Sequence, residues 1–238
     1  MRGLLISLAA AVIAAGPAFA ESGVTVPPRP VVLELFVSQN CAACMTANAA
    51  LADLAATRDV LPLTYDVDYW DYLGWRDTMA HPDFTQRQRA YADRFGQARV
   101  YTPQMVVDGR EAGPGGDGEG IESDIKICRE AAAHAPRLNA RREGSHISIA
   151  VGAGDAPDEG ADIWLVSYEP GQVTTRIGGG ENKGREFTVL NPVRDVEFVG
   201  EWRGEARELR VRAPDTRSFA VLVQHHGAGP VLAAVTGR

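Results

Sequence analysis

The sequence is poor in cysteine and in positive charge, and both shortages limit what the protein can be. It has 3 cysteines in 238 residues, so no second pair is present to complete a zinc site with Cys41 and Cys44. Its formal net charge is −7, and its isoelectric point is near 5.3. Because nucleic acids and anionic membranes attract basic surfaces, we expect neither to be the main partner.

Long apolar runs are also scarce, and the one at the amino terminus has the form of an export signal. Arg2 precedes an apolar run at residues 4–15, and the small-residue site Ala18-Phe19-Ala20 follows. We therefore expect residues 1–20 to be a signal peptide cleaved after Ala20, rather than an uncleaved anchor, and the protein to be periplasmic or secreted. No other run approaches membrane-spanning length, so we expect no span after signal removal.

The cysteine pair Cys41-Ala42-Ala43-Cys44 lies where an apolar strand at residues 31–37 turns into a helix. Thiols at this spacing on a first helical turn are within disulfide reach, and the helix dipole there favours a thiolate on Cys41. A purely structural disulfide is the alternative, but closing so short a loop stabilises by only about 2 kcal/mol. The pattern therefore favours a redox-active pair, which would lie in an oxidising compartment.

Hydrophobic periodicity predicts alternating strands and helices in the first half of the chain. Residues 21–30, which are rich in proline, predict an extended leader. A strand at 31–37, a helix at 41–56 and a parallel strand at 61–67 are expected after it. A helix at 83–95 follows, capped by Asp83 and Gln86, and then a strand at 105–107 that ends in a hairpin turn at Asp108-Gly109. A glycine-rich loop at 113–120 leads to a helix from 121 to His134.

The pattern changes beyond Pro136, where strand-like runs follow one another without a convincing helix. These runs predict an antiparallel sheet or small sandwich. They lie at residues 146–151, 162–168, 186–190, 208–211, 219–224 and 231–235.

The order of the first-half elements, with the cysteine pair at the start of the first helix, is that of a thioredoxin fold. Four motifs carry a family resemblance: Glu34-Leu35-Phe36 through Cys44, Val67-Asp68-Tyr69-Trp70-Asp71, Tyr101-Thr102-Pro103-Gln104-Met105-Val106-Val107 and Gly180-Glu181-Asn182-Lys183-Gly184. In these motifs the chain resembles exported thioredoxin-like proteins of the domain-of-unknown-function 1223 family. The resemblance implies an α+β fold: a thioredoxin-like domain at residues 31–137, with a central mixed sheet flanked by helices, and a β-rich domain at 144–238.

The interpretation of the pair as a redox dithiol gives each cysteine a role, and the resemblance to a thioredoxin fold implies roles for Pro103 and Glu34. Cys41 would attack a substrate disulfide and Cys44 would resolve the mixed disulfide. Pro103 would be cis and would lie against the cysteines, where it shapes a docking groove. Glu34 would lie inward beneath Cys44 and act as a base, or else point outward as an edge carboxylate.

The surroundings of the pair suggest a reducing rather than an oxidising dithiol. We expect Asp66, Asp68 and Asp71 to lie at the same sheet edge, where their charges would disfavour a thiolate. The Ala42-Ala43 dipeptide also lacks the histidine of strongly oxidising relatives.

Two further expectations concern the packing of side chains. The four rings of Tyr69, Trp70, Tyr72 and Trp75 could pack in the core or form a peptide-binding wall, and we expect at least two to pack. Cys128 shares a helical face with two isoleucines, which predicts a buried free thiol.

Together these features predict an exported thiol-disulfide oxidoreductase that acts on protein or small-molecule disulfides without a cofactor or metal. Its partners would be a protein or peptide that carries a thiol or disulfide and a redox partner that the sequence does not identify. Two alternatives stay open: a binding module with a permanently closed Cys41–Cys44 bond, and a copper carrier that uses the two thiolates. The spacing between the two cysteines is one residue shorter than in copper-assembly relatives, which argues against a copper carrier.

Overall fold

The computed structural model describes residues 29–57, 59–131, 135–216 and 218–238. The predicted signal peptide, most of the predicted leader and the predicted helix end at His134 lie outside these ranges. Within them, no helix is long and apolar enough to cross a membrane.

The first half of the chain builds a four-stranded mixed sheet. Its strands, in the order β2-β1-β3-β4, are β1 (Val31–Val37), β2 (Val60–Asp66), β3 (Gln104–Val107) and β4 (Glu111–Pro114). β1 runs parallel to β2 and antiparallel to β3, which confirms the parallel pairing expected across the first helix. Asp108 and Gly109 join β3 to β4 with φ angles of 56° and 64°, which confirms the predicted hairpin turn.

Helices α1 (Cys44–Thr57), α2 (Pro82–Arg94) and α3 (Gly118–Ala131) connect or follow these strands, and a short 3-10 helix spans Asp71–Leu73. The predicted start of α1 at Cys41 is wrong, because residues 41–43 form a turn before the helix. The predicted capping box of α2 is also wrong. Pro82 occupies the first turn, so the cap is His81, whose Nδ1 accepts a hydrogen bond from the Asp83 amide.

The glycine-rich segment at residues 113–120 is more ordered than its composition predicts. Gly113 and Pro114 complete β4, where they pair with Met105 and Gln104, and α3 begins at Gly118. A Cβ atom placed on Gly115 would lie 2.7 Å from Leu35 Cδ1, so this glycine permits a close approach to the sheet.

The second half forms antiparallel sheets, as predicted. They have the orders β10-β7-β12-β13, β11-β6-β5 and β8-β9. Their strands are β5 (Leu138–Glu143), β6 (His146–Val151), β7 (Ala161–Tyr168), β8 (Gln172–Arg176), β9 (Glu186–Leu190), β10 (Val193–Trp202), β11 (Arg207–Arg212), β12 (Ser218–His225) and β13 (Val231–Gly237). The sequence analysis missed β5, β8 and β10, because their polar and charged residues interrupt any apolar run.

The strands and helices form layers, and three hydrophobic cores lie between the layers. One face of the mixed sheet packs against α1, α3 and the two-stranded β8–β9 ribbon. The other face packs against α2 and the four-stranded sheet, so that Val32 and Phe36 share a core with Val166 and Leu222. The third core lies between the four-stranded and three-stranded sheets. The β-rich half therefore completes the core of the first half.

A buried ion pair lies within the second core. Arg87 on α2 donates from Nε to Glu34 Oε1 at 2.6 Å and from Nη2 to Glu34 Oε2 at 3.0 Å. Arg87 Nη2 also donates to Gln224 Oε1 of β12 at 3.1 Å, and the Tyr91 hydroxyl donates to Glu34. Because every polar atom brought into the core needs a partner, this network fixes α2 between β1 and β12.

Replacing Arg87 should therefore destabilise the whole molecule. Arg87→Leu leaves the Glu34 carboxylate buried without its cation, so we expect the free energy of unfolding to fall by about 3–5 kcal/mol. Urea unfolding followed by circular dichroism measures this loss. The control Arg89→Leu, on an exposed position of the same helix, should change stability by less than about 0.5 kcal/mol. Equal small effects of the two substitutions would contradict the role of Arg87 as the buried cation that compensates Glu34.

Candidate functional site

Cys41 and Cys44 lie at disulfide-bonding distance, with 5.4 Å between their Cα atoms. The Cys44 amide donates to Cys41 O and closes the turn that joins them, and the Cys41 amide donates to Ser38 O and closes the turn before it. Cys41 is 4% exposed and Cys44 is fully buried, whereas Ala42 and Ala43 are exposed. Of the two cysteines, Cys41 is thus the less deeply buried.

Pro103 lies close to the start of α1. The Thr102–Pro103 peptide is cis, as the resemblance implied, and Pro103 O accepts from the Gly115 amide at 3.1 Å. A Cβ atom placed on Gly115 would lie 3.1 Å from Pro103 Cβ and 3.3 Å from Ala47 Cβ. Pro103 therefore approaches the helical turn that follows Cys44.

The three residues before the pair, called here the 38–40 loop, are buried, and other segments hold them in place. The Gln39 amide donates to Asp77 Oδ2 at 2.7 Å, and Gln39 O accepts from Asn182 Nδ2 at 2.9 Å. The Gln39 side chain accepts from Trp75 Nε1 at 2.8 Å and donates to Thr78 Oγ1 at 3.0 Å. Both backbone polar groups of Gln39 thus have partners outside the loop.

The glycine-rich segment at residues 178–184 comes from the β-rich half and packs directly on this region. A Cβ atom on Gly178 would lie 2.6 Å from Trp75 Cη2, and one on Gly180 would lie 2.6 Å from Asn40 Oδ1. Gly180 also has a φ of 70°, which few other residues adopt readily. The segment that ends in Asn182 is therefore shaped to cover Trp75 and the 38–40 loop.

The expected position of Glu34 beneath Cys44 is wrong. Successive strand residues face opposite sides of a sheet, and Val37, in the same core as the cysteines, faces the side opposite Glu34. The Glu34 carboxylate is bound to Arg87 and Tyr91 on the α2 side, 1% exposed. Nor does Glu34 point outward as an edge carboxylate.

The buried acid on the dithiol side of the sheet is Asp66. It pairs with Val37 in the β1–β2 register, and Thr64, which faces the same side of β2, donates its hydroxyl to Leu190 O of the ribbon. Asp66 is 1% exposed, and its Oδ1 has no hydrogen-bond partner. Burial raises the pKa of Asp66 well above its ordinary value, and the neighbouring charge of Asp77 raises it further.

Asp77 links this acid to the 38–40 loop. Burial raises the pKa of Asp77 above its ordinary value, although hydrogen bonds from the Gln39 and Met79 amides lower it in part. Of the other expected aspartates, Asp68 accepts from Thr85 Oγ1 of α2 at 2.6 Å, and Asp71 accepts from the Asp77 amide at 3.0 Å. The sequence analysis did not single out Asp77, whose only sequence signal is an acid close to the aromatic run.

The aromatic side chains near the pair divide between core and surface. Trp70 and Trp75 are partly buried against the core that contains both cysteines, and Tyr69 packs against the second core. Tyr72 is 81% exposed. The expectation that at least two of the four rings pack is confirmed.

Cys128 is a buried free thiol, as predicted, and its Sγ lies 4.0 Å from Val107 O. Burial raises the pKa of this thiol to about 12, so it is protonated at neutral pH. In the described part of the chain, no three histidine, cysteine, aspartate or glutamate side chains are grouped to hold a metal ion.

The raised pKa of Asp66 makes stability depend on pH. The folded protein holds the Asp66 proton more tightly than the unfolded chain does. The stability that this proton contributes is complete below the unfolded pKa, about 3.9, and is lost as pH rises through the raised folded pKa. Asp66→Asn keeps the shape but cannot ionise, so its gain in unfolding free energy over wild type should be larger at about pH 8 than at about pH 4.

Urea unfolding at the two pH values measures this difference, and the exposed Asp93→Asn is the matched control. If the gain for Asp66→Asn is the same at both pH values, the pKa of Asp66 is not raised in the folded protein.

Comparison with known proteins places the chain among its relatives. It is 31% identical to an Agrobacterium tumefaciens protein whose crystal structure comes from a structural genomics consortium. The match has a TM-score of 0.73 and covers 87% of this chain and 92% of that one. HBP35 of Porphyromonas gingivalis has a similar fold at 11% identity, with a TM-score of 0.60 over 88% of this chain and 75% of its own.

No curated protein matches the chain. The model of one family, described as protein of unknown function (DUF1223), matches residues 32–224. This match covers most of the chain, from the second residue of β1 to the last but one residue of β12. The chain therefore belongs to the DUF1223 family.

Proposed function

We propose that this protein is an exported thiol-disulfide oxidoreductase with a thioredoxin-like first half, in which Cys41 and Cys44 carry the reaction. The observation that supports it most is the placement of the pair. Cys41 and Cys44 lie at bonding distance where the chain enters α1, and Pro103, which follows a cis peptide bond, approaches the helical turn after Cys44. A merely structural disulfide across so short a loop would add only about 2 kcal/mol of stability.

The thioredoxin-like assignment is supported by topology. The element order β1-α1-β2-α2-β3-β4-α3, with the sheet order β2-β1-β3-β4, agrees with the arrangement that the sequence resemblance implied. The cysteine pair follows β1, and Pro103 immediately precedes β3, so both lie at the positions expected from that fold.

The reaction begins with the reduced pair. The Cys41 thiolate attacks one sulfur of a substrate disulfide, which forms a mixed disulfide and releases the other substrate sulfur as a thiolate. The Cys44 thiolate then attacks Cys41 Sγ, which closes the Cys41–Cys44 bond and releases the second substrate thiolate. The substrate gains two electrons and the protein pair loses two, and a dithiol reductant restores the pair for the next cycle.

The acid that assists the second step is, in this proposal, Asp66 with its neighbour Asp77, in place of Glu34. Cys44 must lose its proton before it attacks, and a buried carboxylate on the same side of the sheet is suited to accept it. The raised pKa values of Asp66 and Asp77 bring these carboxyls closer to the pH at which such transfers occur.

Export and a protein partner complete the proposal. The arginine, apolar run and small-residue site within residues 1–20 support export to an oxidising compartment. The acidic composition supports a protein or peptide substrate rather than nucleic acid. The exposed ring of Tyr72, close in sequence to Trp70 and Trp75 beside the 38–40 loop, offers a surface for such a partner.

Trapping of substrates tests the proposal. Cys44→Ser removes the resolving thiol, so substrates attacked by Cys41 should accumulate as mixed disulfides in cells, visible as high-mass bands that dithiothreitol removes. Cys41→Ser and Cys128→Ser are the matched controls. Neither should accumulate such bands, because the first lacks the attacking thiol and the second keeps Cys44 to resolve each mixed disulfide. A clean monomer for Cys44→Ser, with no insulin reduction by wild type, would instead favour a binding module with a closed disulfide.

The redox potential of the pair is a second expected outcome. No histidine lies between the cysteines to stabilise a thiolate, and the site is buried beside acidic groups, so the reduced form gains little stabilisation. We expect a potential at or below roughly −200 mV, measured by equilibration with glutathione buffers and thiol alkylation. A pair that stays reduced in mildly oxidising buffer would contradict this expectation.

A further inference from the structure

A cavity of about 250 Å³ lies between α1 and the β8–β9 ribbon. It begins at Met45, the residue after Cys44, and follows the helix toward Ala52. The ribbon supplies its opposite wall. The residues on which the argument depends are Met45, Asn48 and Ala52 of α1 and Gln172, Glu186 and Thr188 of the ribbon.

Asn48 is the unusual member of this lining. It lies one helical turn after Cys44, and it is 3% exposed. Neither its Oδ1 nor its Nδ2 has a hydrogen-bond partner. Most buried side-chain amides are hydrogen-bonded, because leaving both groups unpaired costs free energy that a partner would recover. An unpaired amide in the wall of a cavity points to a ligand that can pair with it.

The chemistry of the lining limits what that ligand can be. A side-chain amide offers one acceptor and one donor group in a single plane, and a peptide group carries the complementary donor and acceptor. The Glu186 carboxylate disfavours an anionic ligand, and Gln172 and Thr188 add neutral polar contacts. Met45 and Ala52 provide apolar contact for small side chains. A neutral stretch of extended peptide satisfies all of these features.

We propose that this cavity binds an extended peptide segment, one of whose backbone amide groups pairs with Asn48. Four helical residues rise about 6 Å, and an extended peptide rises about 3.3 Å per residue. A bound segment that reaches Asn48 would therefore place a residue about two positions away near Cys44. The role of the segment as a redox substrate rests on the proposed function, but its binding does not require turnover.

A titration followed by nuclear magnetic resonance tests this proposal on the oxidised full-length mature chain. The probe is tetra-alanine blocked at both ends, which contains no sulfur. We expect saturable shifts of the Asn48 side-chain amide signals and of neighbouring backbone amides in α1 and β9. Asn48→Leu should lose this binding, whereas Asn139→Leu, at an exposed position of β5, should keep it.

A second measurement on the wild-type protein keeps the test independent of how the variant folds. An analogue in which one backbone amide of the probe is replaced by an ester loses a single donor and should bind about fivefold more weakly. Equal affinity for every such analogue, unchanged binding by Asn48→Leu, or binding of acetamide as tight as that of the peptide would overturn the proposal. Because the probe cannot exchange disulfides, failure of substrate trapping and failure of peptide binding are separate results.

Discussion

The dithiol depends on one constraint: a loop can be buried only if its backbone polar groups find partners. The 38–40 loop belongs to no strand or helix that would supply these partners. Asp77 therefore accepts a hydrogen bond from the Gln39 amide, and Asn182 donates one to the Gln39 carbonyl. Cys41 follows this loop directly. The position of the first sulfur-bearing residue is thus set by hydrogen bonds from two distant parts of the chain.

This constraint gives the β-rich half a role in the site itself. Asn182 and the glycines before it belong to that half, as does the β8–β9 ribbon that packs on α1. On the other side of the mixed sheet, Gln224 completes the polar network of Arg87 and Glu34. The second half therefore supports the dithiol on one face of the mixed sheet and the buried ion pair on the other, and both cores that flank the mixed sheet contain residues of that half.

Much of this arrangement could be predicted from the sequence. The apolar runs of β1, β2 and β12 give clear strands, the Asp108-Gly109 pair gives the hairpin, and the family resemblance gives the cis peptide at Pro103. These features are local, or they depend on a motif that lies on contiguous residues.

The errors arose where structure depends on distant contacts. All seven residues of β1 are buried, so no alternation of buried and exposed positions shows which side of the sheet Glu34 faces. Its partner Arg87 is far along the chain, and nothing local marks the pairing. Asp77 and Asn182 were missed as supports of the dithiol for the same reason, since a hydrogen bond to a backbone group leaves no pattern in the partner's sequence.

The central claim is that the Cys41–Cys44 pair turns over rather than remaining closed. The most direct measurement counts the insulin disulfides reduced per molecule of protein when a dithiol reductant is in excess, after subtraction of the uncatalysed rate. Turnover predicts many disulfides per molecule for wild type and Cys128→Ser, and none for Cys41→Ser. A wild-type rate equal to that of Cys41→Ser would contradict the claim and leave the pair a closed structural bond.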